Sequence, residues 1–279
     1  MDKKLKLAVI GNPISHSKSP EIHQDFANQF DVKTEFRKYE VTPDTLETWL
    51  ANFFKDSGKG VSITLPLKEV ALNYADEISD RARLASACNV IYSKDERLFA
   101  DCTDGFGLTK DLEENLKVPV KDKKILILGA GGAARGIVPS IIEKDPASLK
   151  IANRTESKAL LLREDLEAKV NLEEKNTIFE AGDLSDDFLL DDSYDLVINS
   201  TSVSTQAGES IGLPKALFSG TKLAYDLFYS AENTAFMQDA LAAGAEKVSD
   251  GWGMLVEQGA ESFRLWTNLI PDTSRLLEK

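Results

Sequence analysis

The stretch KILILGAGGAARG, residues 124–136, is an apolar run that ends in a glycine-rich turn and opens directly into a helical pattern. Consecutive apolar residues at 125–128 fit a strand buried on both faces, as in a parallel sheet. Gly129, Gly131 and Ala134 occupy the three positions of the G-x-G-x-x-G/A pattern. The first permits a tight turn, the second lets a pyrophosphate approach the backbone, and the third lets helix and strand pack closely. Glycine-rich helix starts also occur as plain packing. Here the order strand, turn, helix favours a dinucleotide site.

The discriminating position lies about twenty residues further on, where NAD-binding domains place an acidic residue on the adenosine ribose. The run LKIAN (149–153) ends in Asn153 and is followed by Arg154, Thr155 and, one helical turn on, Lys158, with no carboxylate at the strand end itself. An arginine can stack on adenine and pair with a 2′-phosphate, and Lys158 adds a point charge, so the expected cofactor is NADP. The alternative is that Asn153 and Thr155 cap a helix while Arg154 is solvated; capping by Thr155 is compatible with either.

Outward from this motif, short apolar runs alternate with helical periodicity. LKLAVI, EFRKYEV and GVSIT precede helical patterns from Glu21, from Thr42-Pro43 and over LPLKEVALNYA; CNVIY and LFADC follow as strands, and Thr103 caps a helix to about Leu116. This is the rhythm of a mostly parallel α/β sheet. VPVKDKK (118–124) reads as a seam, beyond which TIFEA, YDLVINS and KLAYDLF supply further strands and a long helix runs from Gly251 to about Asn268.

The chain has 279 residues, 42% of them hydrophobic, which is enough for one large or two modest buried cores. With 33 Lys+Arg against 46 Asp+Glu, the formal charge of -13 argues against nucleic acid or an anionic membrane as partner. No apolar stretch approaches membrane-spanning length and the first one is too short for a signal peptide, so a cytoplasmic location is expected. Cys88, Cys102, His16 and His23 form no recognisable metal-ligand spacing, and no metal is expected.

The loop GNPISHSKSP (11–20) packs hydroxyls against a helix start, with Ser19 as N-cap and Pro20 at the first helical position. Ser17 and Ser19 either help to hold an anion or satisfy their own backbone. With no metal and little histidine, proton transfer needs another donor. Lys68 stands just past a strand end and Asp104 in the first turn of the next helix. Burial would lower the lysine pKa and a nearby carboxylate would raise it, and the sequence leaves the balance open. Each has an ordinary alternative, a solvated helix flank for Lys68 and a helix-dipole partner for Asp104. On the last helix Leu255, Gln258, Ser262, Leu265 and Leu269 form an inward stripe, so the Gln258 amide requires either a ligand or a backbone partner.

Taken in order, GNPISHSKSP, TLPLK, CNVIY, TDG, GAGGAARG, NRT, INSTS, YDLFY and DGWGMLVEQ resemble the shikimate dehydrogenase family over essentially the whole chain. The resemblance implies NADPH-dependent reduction of 3-dehydroshikimate to shikimate. It also implies an α/β substrate domain of residues 1–104, to which C-terminal helices in 245–279 return, and a Rossmann-type NADP-binding domain of residues 105–244. It makes Lys68 the acid/base and Asp104 its partner. Ser17 and Ser19 bond the substrate carboxylate, and Thr64, Asn89, Tyr229 and Gln258 line the remainder. On the cofactor side Gly129, Ala130, Gly131, Gly132 and Ala133 match the phosphate segment, and Asn153, Arg154, Thr155 and Lys158 the adenosine segment. Thr201, Leu227 and Gly251 match positions near the nicotinamide. A monomer or homodimer is expected.

The pattern departs at Ser62 and Cys102, where the family usually has Asn, and at VSTQAGES (203–210), which replaces a glycine-methionine turn. These departures bear on substrate breadth. Asp101 and Asp104 beside Cys102 predict a sluggish thiol acting as a small packing residue. The competing functions are a quinate/shikimate dehydrogenase using NAD or NADP, and a catalytically silent NADP-binding regulator, against which retention of Lys68 and Asp104 speaks.

Overall fold

The computed structural model describes residues 4–170, 175, 177–205 and 209–278. The chain forms two compact units, one running to Leu108 and resuming at Leu255, the other Thr109–Met254. In the first unit a mixed sheet is built from β1 (Leu5–Gly11), β2 (Thr34–Glu40), β3 (Gly60–Ile63), β4 (Glu77–Ile78), β5 (Val90–Lys94) and β6 (Arg97–Asp101), in the order β2-β1-β3-β5-β6-β4. Only β5 runs against its neighbours. Side chains alternate across this sheet, as strand geometry requires. Ala8 and Ile10 pack with Leu46, Leu50 and Phe53 of α2 (Pro43–Lys55), while Leu7 packs with Val90 and Trp266.

Helices α1 (Ser19–Asn28) and α9 (Trp252–Thr267) contribute to that second face. The approach of α9 is close: a Cβ on Gly60 would stand 2.5 Å from the Trp266 ring. His23 of α1 stacks on Trp266 at 4.8 Å and tilts against Phe36 at 4.9 Å, fully inside this aromatic layer. A salt-bridge cluster adds a second attachment. Arg81 of α3 (Asp80–Ala85) binds Asp101 through Nε (3.0 Å) and Nη2 (2.8 Å), and reaches Glu261 of α9 through Nη1 at 2.9 Å. Arg264 closes on Glu261 at 2.7 and 2.8 Å. Burial acts to raise the Glu261 pKa, but the two guanidinium groups more than offset it and hold the carboxyl below its ordinary value.

Several local expectations change. Ser19 is the first residue of α1 rather than its cap; the N-cap is Lys18, and Ser17 Oγ accepts the Ser19 N–H at 3.3 Å. LPLKEVALNYA forms only a short 3₁₀ helix, Val70–Tyr74, because Asp76 N–H already bonds Leu98 O at 2.9 Å and draws the chain into β4. Of the expected stripe only Ser262 is fully buried; Leu255, Gln258 and Leu265 are half-buried on α9, Leu269 is half-buried beyond its end, and the helix buries Val256, Phe263 and Trp266 instead.

The second unit carries an all-parallel sheet of β7 (Lys124–Leu128), β8 (Ser148–Ala152), β9 (Ile178–Gly182), β10 (Leu196–Asn199), β11 (Leu223–Asp226) and β12 (Val248–Ser249). Its order, β12-β11-β10-β7-β8-β9, is the doubly wound arrangement, and the strand order reverses between β7 and β10. Ligands bind such sheets beyond the carboxyl ends of the strands at that reversal. Near the unit's boundary Tyr225 donates its hydroxyl to Asp111 at 2.7 Å and accepts the Met254 N–H at 3.3 Å.

Burial lowers the His23 pKa from 6.5 to about 3, so the folded state holds the imidazole neutral while the unfolded chain protonates it. The sign follows: stability contributed by the neutral ring is complete above the unfolded pKa and is lost as pH falls from 6.5 towards 3. At about pH 4.5 this linkage amounts to roughly 2–3 kcal/mol. Urea unfolding at neutral and acidic pH should therefore show a smaller acid loss in His23→Phe than in the wild type; equal losses would place the acid sensitivity elsewhere.

Candidate active site

The glycine turn sits at the carboxyl end of β7. Gly129 has φ 106°, and a Cβ there would lie 2.6 Å from Ser200 Oγ, so both the turn and the approach of the β10 loop require glycine. Gly131 is the N-cap of α5 (Gly132–Glu143), and a Cβ on it would meet nothing within 4 Å. That open space stands at a helix start with no side-chain cap and no acidic residue in its first turn, which suits a pyrophosphate. Ala130 and Ala133 flank this turn, and Ala134 is fully buried against the sheet.

At the end of β8, Asn153 donates its amide to Thr155 O at 2.8 Å. Thr155 is the N-cap of α6 (Glu156–Glu167), yet its side chain makes no cap bond. Arg154 and Lys158 are exposed and enter no ion pair among the described residues. Glu156 stands between them in the first turn of α6, but it pairs with neither, and two exposed cations free of ion pairs among the described residues fit a 2′-phosphate, so the residues present suit NADP. Beyond β10 and β11 the backbone is tight: a Cβ on Gly251 would lie 2.2 Å from Leu227 O, and Gly251 N–H bonds Phe228 O at 3.1 Å. Tyr229 packs at 5.9 Å from Phe228 and 6.1 Å from Trp252. Residues 206–208 of the departing loop lie outside the described residues, but Ser204 is placed, on Asp226.

In the first unit the chemistry gathers around one pair. Lys68 Nζ stands 2.5 Å from Asp104 Oδ2, with side-chain exposures of 13% and 6%. Burial alone would lower the lysine pKa; the charge and hydrogen bond of Asp104 outweigh it, and the Lys68 pKa is raised. The balance left open by the sequence is thus settled towards the ammonium. Asp104 begins α4 (Asp104–Lys110).

Asn89 organises the other side of the carboxylate. Its amide nitrogen lies 3.1 Å from Asp104 Oδ1, 2.9 Å from Thr103 Oγ1 and 3.0 Å from Gln258 Oε1, while its oxygen accepts the Thr103 N–H at 2.7 Å. Gln258 donates to Leu255 O at 2.8 Å, so its amide has both a backbone and a side-chain partner. Thr103 accepts the Gly107 N–H on its carbonyl, as an N-cap does, but its hydroxyl serves Asn89 and Gln258 rather than the helix end. Ser17 and Ser19 are buried and their hydroxyls lie 3.2 Å apart. Neither they nor Thr64 bonds the lysine–aspartate cluster among the described residues. The adjoining loops are tied by Asn12 N–H to Leu65 O at 3.0 Å and by Lys38 Nζ to Ser15 O at 2.9 Å.

Cys88 and Cys102 belong to the apolar cluster beneath this site. Burial is the leading cause that pushes the Cys88 thiol up to about 12 and also raises Cys102. At Cys102 Asp104 adds to burial, and the contribution expected of Asp101 is not among the causes. Asp101 instead accepts the Cys102 N–H at 2.7 Å and is held by Arg81 and Ser79. That cluster carries no sequence signature, since its partners lie 20 and 180 positions apart.

Residues 9–91 match the shikimate dehydrogenase substrate binding domain, 111–207 the shikimate / quinate 5-dehydrogenase model, and 251–278 the shikimate 5'-dehydrogenase C-terminal domain. The shikimate dehydrogenase (NADP(+)) of Hahella chejuensis is 43% identical over 270 residues, covering 97% of this chain and 96% of that protein. That of Legionella pneumophila is 42% identical over 274 residues, covering 98% and 97%. Among solved structures, an Ael1 enzyme from Pseudomonas putida superposes with TM-score 0.87 at 38% identity, covering 98% of this chain and 97% of that one. Shikimate 5-dehydrogenase from Thermus thermophilus, in complex with NADP(H) and shikimate, superposes with TM-score 0.85 at 32% identity and the same coverage. With relatives of this identity over nearly its full length, and with three family models matching in order, the chain belongs to the shikimate dehydrogenase family.

Proposed function

We infer that this chain is an NADP-dependent oxidoreductase that interconverts shikimate and 3-dehydroshikimate. The observation that carries the reading is the Lys68–Asp104 pair, an ammonium kept protonated where water is scarce and buttressed by Asn89 and Gln258. NADPH supplies a hydride when bound. Lys68 Nζ gives a proton to the oxygen that develops negative charge as the ketone is reduced, and regains one from solvent. Asp104 Oδ2 holds the ammonium in place. Asn89, Thr64, Gln258 and Tyr229 select the ring hydroxyls, since a site built to bond an OH rejects analogues lacking it. Ser17 and Ser19 receive the carboxylate with paired hydroxyls. On the cofactor side the segment Gly129 to Ala133 takes the pyrophosphate, and Arg154 with Lys158 takes the 2′-phosphate, backed by Asn153 and Thr155. Thr201, Leu227 and Gly251 border the nicotinamide. In this reading the enzyme works in the cytoplasm on small molecules. Parallel assays with shikimate and quinate, each with NADP and NAD, test the reading as a whole, and the absence of NADP-dependent shikimate oxidation would overturn it.

Lys68→Ala should lower kcat at least about a hundredfold while shikimate binding changes little, because the lost group acts on the proton in flight. Near-normal kcat in steady-state assays would remove Lys68 from that role.

The raised Lys68 pKa sets the pH dependence. Shikimate oxidation needs the amine, which is scarce at neutral pH, so its rate should climb from neutrality upward. Asp104→Asn leaves burial acting without the opposing charge and should shift the rise to lower pH. Superimposable pH profiles for the two proteins would detach Asp104 from the proton step.

Arg154→Ala should weaken NADP binding about tenfold or more and leave NAD nearly unaffected, because only NADP offers the 2′-phosphate. Equal losses in titrations of the two cofactors would refute the clamp.

A further inference from the structure

Asp226 closes β11 and is fully buried, yet its hydrogen-bond partners among the described residues are all neutral. Its Oδ1 accepts from Asn199 Nδ2 and Phe228 N–H, each at 3.1 Å, and its Oδ2 accepts from Ser204 Oγ at 2.5 Å and Thr234 Oγ1 at 2.7 Å. Burial pushes this carboxyl up, and the donors work against the shift. The donors come from three segments: the end of β10 with the loop after it, the loop after β11, and the N-cap of α8 (Ala235–Ala242).

The carboxylate has a consequence one residue away. Asn199 must turn its NH₂ towards Asp226, since the reverse orientation would press a carbonyl oxygen against a carboxylate. The same NH₂ lies 3.0 Å from Ser204 Oγ. The Asn199 carbonyl therefore faces the other way, where it accepts the Thr201 N–H at 3.0 Å and the Thr201 hydroxyl at 2.7 Å. A hydroxyl has one hydrogen, and here it is committed inward. Of its two lone pairs one faces the Val203 N–H at a long 3.4 Å, and what Thr201 offers outward is the other. The position of the family's usual glycine-methionine turn is thus occupied by Ser204, which ties this loop to the buried carboxylate.

We propose that Asp226 is a positioning residue that, through Asn199, fixes the Thr201 hydroxyl as an acceptor for the carboxamide N–H of the nicotinamide. This rests on the reading above, in which Thr201 borders that ring. The ligand chemistry is specific: the side chain discriminates a primary carboxamide from a ketone that lacks the N–H.

The test is calorimetric titration of the full chain with NADP⁺ and with 3-acetylpyridine adenine dinucleotide phosphate, in which a methyl replaces the amide nitrogen. The wild type should bind NADP⁺ about tenfold more tightly than the analogue, the range expected of one hydrogen bond to a half-buried acceptor. Asp226→Asn and Thr201→Val should each close the gap to about twofold by weakening NADP⁺ alone, and Thr201→Ser should keep it. An Asp226 that only supports the fold would weaken both ligands alike, and that result, or a gap that persists in Asp226→Asn, overturns the proposal. If Asp226→Asn does not fold, Ser204→Ala carries the same comparison, with an expected gap of about threefold and an unchanged gap as the contrary result. Shikimate turnover by the wild type separates the two levels. Its absence sinks the functional reading, whereas turnover together with an unresponsive gap sinks only the role of Asp226.

Discussion

Lys68 and Asp104 are both withdrawn from water, and neither charge is tolerable there without the other. A buried carboxylate or ammonium alone carries several kcal/mol of lost hydration, typically relieved by neutralisation. Together they convert that penalty into a fixed proton donor. The arrangement makes demands on its surroundings, because the carboxylate's second oxygen must also be satisfied. Asn89 does this at 3.1 Å, and Asn89 is itself fixed by Thr103 and Gln258. The requirement thereby reaches from β5 and β6 to α9, which is 155 to 169 positions away in the chain. The return of the C-terminal helix to the first unit is part of the site's chemistry as well as its packing. Arg81 and Glu261 reinforce the same junction with charges that are themselves mutually compensated.

The second unit solves a related problem with different materials. Asp226 is buried like Asp104 but, among the described residues, faces only neutral donors. Without a cation, its charge is spread over two hydroxyls, an amide and a backbone N–H, each of which must point inward. A salt bridge tolerates some rotation of its partners. A carboxylate held by hydroxyl and amide hydrogens orients each of them, and the orientation passes to the next group in line. Lys68–Asp104 stores a proton; Asp226–Asn199–Thr201 fixes where hydrogens point. Both devices lie at or beyond the carboxyl ends of strands, where the backbone leaves the regular ladder and side chains can converge.

What was legible in the sequence follows from how locally each feature is encoded. The turn at Gly129–Gly131 was legible because φ 106° at one position and open space at another call for glycine within three residues. The central strands β7, β10 and β11 were legible because parallel strands buried on both faces are nearly continuously apolar, whereas the two residues of β12 carry no such signal. β4 and α3 escaped because two and six residues carry no periodicity. The helix expected over LPLKEVALNYA had the right apolar content, but a bond between Asp76 and Leu98 ends it early. Lys68 and Asp104 could be nominated singly from their places at strand ends, while their separation of 2.5 Å belongs to tertiary structure. His23 was noted only as one of two histidines, since nothing local says that Trp266 and Phe36 close over it.

The direction of the Lys68 shift gives the site a bias that geometry alone would not. An acid/base group with a pKa near the ambient pH serves both directions of a reversible reaction about equally. Here Asp104 overcomes the effect of burial and holds the lysine as ammonium. The resting state is thus already armed for reduction, which consumes its proton, and recharging from solvent is favourable afterwards. Oxidation must begin by removing a proton from a pair that resists losing it. The overall equilibrium is untouched, because an enzyme cannot alter it. What the pair fixes is which ligand meets a ready site at neutral pH: the ketone finds its proton donor in place, and the alcohol must wait for the minor, deprotonated form.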